Sequence, residues 1–163
     1  VRGSAQSVRL AGSKLRSGLL DFSNSRFTLV RGRLQWRIIN VIPEFNIWIS
    51  LSQKKELRLM FGRVFALLLR LLHGEEKNEL LFQHLLSAYE FSRDFEKPEK
   101  LLPEIEYVLV LRLLHSLGYV GAAPSLGDLV HSPYWSEEIV RQMSGIKRQA
   151  LSEINRSLNA TQL

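Results

Sequence analysis

Between residues 26 and 42 the apolar positions recur at every second residue. Leu34, Trp36, Ile38, Asn40 and Ile42 fall on one face of an extended chain, and Gln35, Arg37, Ile39 and Val41 on the other. A period of two is strand spacing. Residues 27–30 form a second short run, with Arg31 and Gly32 between the two, which predicts a tight hairpin with Gly32 at positive φ and arginines at its tip. Pro43 is expected to end the second strand. Upstream, residues 7–10 can form another strand, and residues 11–22, with Gly12 and Gly18 among serines, read as a loop with room for one helical turn.

After Trp48 the period becomes helical. Ser50 and Gln53 have the spacing of a capping box, predicting a first helix over residues 51–73 with Gly74 as its stop. At 100° per residue Glu56, Arg63 and Arg70 fall within about 40° of one another, so its polar stripe is narrow. It is expected to be the central helix of a bundle. A second helix fits residues 78–93. A third fits 103–117, opened by Pro103 with Glu104 and Glu106 near its positive end and closed by Gly118. Residues 121–135 read as a connection. A last helix starts near Ser136, aligns Ile139, Met143, Ile146, Ala150, Ile154 and Leu158 on one stripe, and frays after Asn159. The pattern as a whole is α+β, with a β region over residues 1–48 and a helical domain over 49–163.

Charge sharpens this division. Residues 1–42 hold eight cations, Arg2, Arg9, Lys14, Arg16, Arg26, Arg31, Arg33 and Arg37, against one carboxylate, Asp21, a net +7. From residue 43 onward 14 basic residues meet 15 acidic ones, so all the positive excess lies on the β part. Such a field attracts polyanions, chiefly nucleic acid or an acidic membrane surface. The length of 163 residues and an apolar fraction of 45% suffice for a buried core. With no cysteine there is no disulfide framework, thiolate zinc site or cysteine nucleophile, and a reducing compartment, the cytoplasm, is expected. Because the chain opens at Val1 in a basic stretch, it is expected to be a fragment that lacks its true N-terminus.

Three stretches carry a resemblance. Residues 1–22 run V-R-G-x-x-x-S-V-R-L-A-G-S-K-L-R-S-G-L-L-D-F; Leu29, Val30, Arg31 and Gly32 follow in a strand pair; and residues 110–119 read V-L-R-L-L-H-S-L-G-Y, an apolar helix with an internal arginine ending in Leu-Gly-Tyr. In order and spacing the chain resembles the RecO family of bacterial recombination mediators. That resemblance implies a partial oligonucleotide-binding (OB) fold at the N-terminus and an α-helical bundle after it. It also implies single-stranded DNA binding and annealing, and partnership with RecR and single-stranded-DNA-binding protein. In the family the barrel begins well before the point matching Val1, so the first strands would be missing here. Several members also carry a four-cysteine zinc site after the Leu-Gly-Tyr helix; residues 122–135 have no cysteine, so no metal or other cofactor is expected.

The candidate DNA-binding residues are Arg2, Arg9, Lys14, Arg16, Arg31, Arg33 and Arg37, with Lys14 and Arg16 matching the family's basic loop. Trp36 and Phe27 are the nearby aromatics, since single strands are held by cations along the backbone and planes against the bases. The alternating apolar neighbours of Trp36 point instead to a core role for it. For the acidic, apolar tail of a partner, the candidate rim cations are Arg70, Arg112, Arg141, Lys147 and Arg148, although any amphipathic helix shows such cations to solvent. Arg112 interrupts an apolar run and is expected to reach solvent or to pair with Glu106.

Catalysis finds little support. His73, His84, His115 and His131 are far apart in sequence, and none has a ligand partner at helical spacing. The adjacent pairs Glu75 and Glu76, and Glu137 and Glu138, suit helix starts. There is no phosphate-cradling glycine loop and no nucleophile elbow. Two other classes stand beside the DNA-repair reading. One is a helical interaction adaptor whose basic arm meets an acidic protein. The other is a peripheral membrane protein, although Arg58, Arg63 and Arg70 prevent residues 57–72 from spanning a bilayer.

Overall fold

Strand β1 (Ser23–Arg31) pairs antiparallel with β2 (Trp36–Asn46) in a two-stranded sheet. The structure, a computed structural model, describes residues 20–33, 36–72, 77–96, 98–121 and 126–160, apart from the side chains of Glu99 and Asp128. The predicted strands at 7–10 and the loop over most of 11–22 lie outside these residues.

Both strands of the hairpin are longer than the apolar alternation indicates. Arg31 faces Trp36 and so belongs to the ladder, which rules out a two-residue Arg31-Gly32 turn. Strand β2 also runs on through Pro43. Ser25 faces Pro43 and Asn24 faces Phe45, leaving Glu44 bulged out of the ladder. A proline without an N–H is tolerated beside such a bulge or on an edge strand. A second bulge lies at Ile39, skipped between the pairs Thr28 with Asn40 and Leu29 with Ile38. One inserted residue reverses the alternation beyond it. Trp36, Ile38 and Val41 therefore share a face, while Arg37, Asn40 and Ile42 take the other. Burial agrees, with Val41 buried and Ile39 and Ile42 exposed.

Asn46 closes the base of the hairpin. Its Nδ2 donates to the Asp21 carbonyl at 2.9 Å and to Ser23 Oγ at 2.8 Å, and its Oδ1 accepts from the Ile49 N–H at 3.0 Å, capping the short helix α1 (Ile47–Ser50). The Ile47 N–H donates to the carbonyl of Phe22, a residue at φ 63° whose ring stacks on Trp48 with centroids 5.1 Å apart. Ser50, predicted as the cap of the first long helix, instead ends α1, and its Oγ donates backward to the Ile47 carbonyl. The first long helix, α2 (Lys55–Leu71), begins later than predicted.

Helix α2 buries Leu57, Met60, Phe61, Val64, Leu68 and Leu71 on one face but exposes Leu59 and Leu69. It is amphipathic and is not the central helix. That place belongs to α4 (Leu102–Ser116), in which every residue from Val108 to Leu114 is buried. It packs against α3 (Glu79–Asp94), α5 (Gly127–His131) and α6 (Glu137–Ala160). Helix α3 is capped by Asn78, whose Oδ1 accepts from the Leu81 N–H at 2.8 Å and whose Nδ2 donates to the Ser116 carbonyl at 3.0 Å, joining the start of α3 to the end of α4. Helix α4 ends at Gly118, φ 79°, where the N–H groups of Tyr119 and Gly118 donate to the carbonyls of Leu114 and His115, both at 2.9 Å. This double closure needs a left-handed residue, and glycine adopts it without a Cβ penalty. Within the predicted connection lies α5. Ser136 Oγ accepts from the Ile139 N–H at the start of α6, and Ser157 Oγ near its end donates to the Tyr119 carbonyl.

The architecture is α+β, a two-stranded antiparallel sheet followed by helices. The chain divides into two compact units, Val1–Arg58 and Leu59–Leu163.

Candidate functional site

Of the seven candidate cations on the β part, Arg2, Arg9, Lys14 and Arg16 lie outside the described residues. Arg31, Arg33 and Arg37 are described, and all three are exposed at the end of the hairpin away from Asn46. Arg26, nearer the base, pairs with Glu44 at 3.0 Å, and Asn24 donates to the same carboxylate at 3.0 Å. None of the three tip arginines pairs with a carboxylate among the described residues. The positive field of the hairpin is therefore concentrated at its tip.

Trp36 lies at that tip and is 57% exposed, which corrects its expected core role. It shares a face with Ile38 and buried Val41 but sits at the far end of the strand, beyond the covered part. The Arg31 guanidinium approaches to 6.0 Å from the centre of the Trp36 ring, across the Arg31–Trp36 pair. Phe27 is half-buried opposite Val41 and offers less open ring. An exposed indole beside a guanidinium can take a planar ring while nearby cations meet neighbouring negative charge.

No protein-family model, curated protein or solved structure matches the chain. The chemistry of the site rests on these side chains alone.

The five candidate partner cations are not gathered together. Arg70 and Arg148 are exposed on α2 and α6, and Arg141 pairs with Glu137 on its own helix. Lys147 Nζ lies 5.4 Å from the Tyr107 ring centre. Tyr107 in turn lines an apolar groove of about 230 Å³ with Val64, Leu67, Val110 and Ile154. At its rim Arg63 makes a forked pair with Glu106, Nε to Oε1 at 2.8 Å and Nη2 to Oε2 at 2.6 Å. Glu106, named as one of two alternatives for Arg112, is instead paired with Arg63. Arg63 was missed, because only the packing of α2 on α4 brings the two residues together.

Arg112 itself neither reaches solvent nor rims a groove. It is fully buried, with Nε donating to the Leu129 carbonyl at 2.7 Å and Nη2 to the Tyr134 carbonyl at 2.9 Å. Burial lowers its pKa to about 10. The histidines expected to be far apart are also partly gathered: His115 and His131 meet edge to face with centroids 4.5 Å apart. His84 is fully buried, with neither ring nitrogen hydrogen-bonded. Its pKa is pushed down to about 4, first by burial and then by Arg112 and His115. His115 is also lowered, by burial and then by His131. Among the described residues no group of three potential metal donors forms, and no helix is long and apolar enough to cross a membrane.

Proposed function

We propose that the chain binds single-stranded DNA through the hairpin tip and serves, without catalysis of its own, as a DNA-repair accessory protein of the RecO type. The observation that carries this reading is the exposed Trp36 ring beside Arg31, with Arg33 and Arg37 making no carboxylate pair among the described residues. Unpaired bases offer open faces to an indole, whereas stacked duplex bases do not. The strand-then-helix order and the quoted RecO-like stretches support extending β1 and β2 to a partial OB-like barrel. They also support annealing or recombinase loading with RecR and single-stranded-DNA-binding protein, in the cytoplasm. Holding two strands with their charge neutralised favours pairing without any bond made or broken by the protein.

The test is binding of fluorescent poly-dT across a salt series, with intrinsic tryptophan emission followed in parallel. Tight, steeply salt-dependent binding that quenches Trp36 is expected, together with a weaker complex for Trp36→Ala. Equal binding by wild type and by the Arg31, Arg33 and Arg37 triple alanine variant would sink the site. The apolar groove rimmed by Arg63 and Glu106 favours a second reading, an interaction adaptor. An adaptor retains one protein partner tightly while binding oligonucleotides only weakly.

A further inference from the structure

The solvent side of α2 has a composition that suits burial. At 100° per residue Leu59, Gly62, Ala66 and Leu69 fall within about 80° of one another, opposite the side that packs into the core. Leu59 is 43% exposed and Leu69 68%, Ala66 is exposed and Gly62 half-buried. Single exposed leucines are ordinary. These four positions, however, follow at intervals of three, four and three residues, the a and d spacing of a helix that pairs with another helix. No charged side chain interrupts the line between Lys55 and Arg70.

Charges run along one flank of this seam. Glu56, Arg63 and Arg70 follow every seven residues; Glu56 and Arg70 are exposed, and neither is in an ion pair among the described residues. A second copy laid parallel would set Glu56 against Glu56 and Arg70 against Arg70. Laid antiparallel, the same flanks face each other in opposite directions, so Glu56 of each copy meets Arg70 of the other. The seam keeps the same step, with Leu59 opposite Leu69 and Gly62 opposite Ala66 of the other copy. Small residues at the centre let the two backbones approach closely. The two Arg63 side chains meet near the middle, but each already has Glu106 as its counter-charge.

We propose that two copies of this chain associate through this face of α2, antiparallel about a two-fold axis that passes between Gly62 and Ala66. Such an interface uses one patch twice, so the patch must complement itself. An anion at one end and a cation at the other, equally spaced from the centre of an apolar seam, meet that requirement. A foreign helix has no need of this order. One helix against one helix is a small contact, so the dimer is weak and forms only as concentration rises.

Sedimentation velocity on the intact chain over about a hundredfold range of concentration tests this. A monomer–dimer equilibrium is expected, and Leu59→Glu combined with Leu69→Glu should raise its dissociation constant about tenfold or more, because both place charge in the seam. Glu56→Arg and Arg70→Glu should each weaken the dimer, and the two together should restore it. The chain has no cysteine, so disulfide cross-linking reads the orientation without background. Leu59→Cys mixed with Leu69→Cys should link across the dimer, while either variant alone stays largely unlinked. If the leucine double variant fails to fold, the charge exchange and the cross-link decide. A chain that stays monomeric up to about 100 μM overturns the proposal and assigns the face to a different occupant. A dimer indifferent to folded Leu59→Glu with Leu69→Glu, a charge reversal that the double exchange does not rescue, or variants that each link to themselves in preference also overturn it.

Discussion

Asn46 concentrates more structure than any other single residue of the hairpin. One side chain caps α1 and ties residues 21 and 23 to the end of β2, so both its donor and its acceptor are used. Asn46→Ala should lower the unfolding free energy by about 2 kcal/mol, a lost cap plus partly exposed hydrogen bonds. Asn46→Asp keeps the acceptor and should lose about half as much; urea unfolding of the two variants checks both values. The role of Asn46 was not legible in the sequence, because its partners at residues 21 and 23 lie across the hairpin and the local pattern favoured Ser50. The sequence reading began the next helix at Asn78 without naming it a cap, although its cap is made locally, to the helix that follows it. Arg112 was legible as an anomaly but not as a solution. Its acceptors are backbone carbonyls of residues 129 and 134, and no side-chain pattern announces a carbonyl. Arg112→Lys should be strongly destabilising, by about 2 kcal/mol or more in thermal or urea unfolding, because an ammonium lacks the fork that reaches both.

At the scale of elements, helix ends were read more accurately than strand faces. The glycine stop of α4 was legible because its requirement is local: a left-handed residue after the last turn. An added Cβ at Gly118 meets no atom within 4 Å, so Gly118→Ala isolates the conformational cost of φ 79°. A loss of about 1 kcal/mol is expected by urea unfolding, with the helix content of the folded state unchanged. Strand faces failed for a different reason. The apolar pattern of residues 34–42 fits a strict period of two, but the bulge at Ile39 shifts the parity, and bulges are set by the partner strand. The same shift explains why Asn40 and Ile42 lie with Arg37 and not with Trp36. The expected burial of α2 failed similarly. Its apolar composition was plain, but which of two apolar helices takes the centre depends on what packs around each, and α4 is covered by three helices.

Over the whole molecule, the α+β order and the charge asymmetry were both visible in composition and period, whereas the open ring of Trp36 and its contact with Arg31 came only from the register. That asymmetry makes a prediction in which stability and binding separate. Arg31, Arg33 and Arg37 are exposed and make no ion pair among the described residues, so replacing all three by alanine removes no described contact that holds the fold except the Arg31–Trp36 approach. The melting temperature should therefore move little, as for surface substitutions generally. Binding should change in a defined way. Each phosphate contact on a single strand contributes about 0.7 to the slope of log K against log salt, so loss of three contacts flattens the slope by about 2. The affinity loss should be similar for poly-dT and mixed sequences, because phosphate contacts carry no base information. Trp36→Ala should behave differently, weakening the complex at every salt concentration by about 1–3 kcal/mol, the range for one stacked base, with the slope unchanged. Measured together, the two variants separate charge from stacking. A triple variant with an unaltered slope would place the DNA contacts away from the hairpin tip, and a Trp36→Ala variant that binds like wild type would remove the indole from the site.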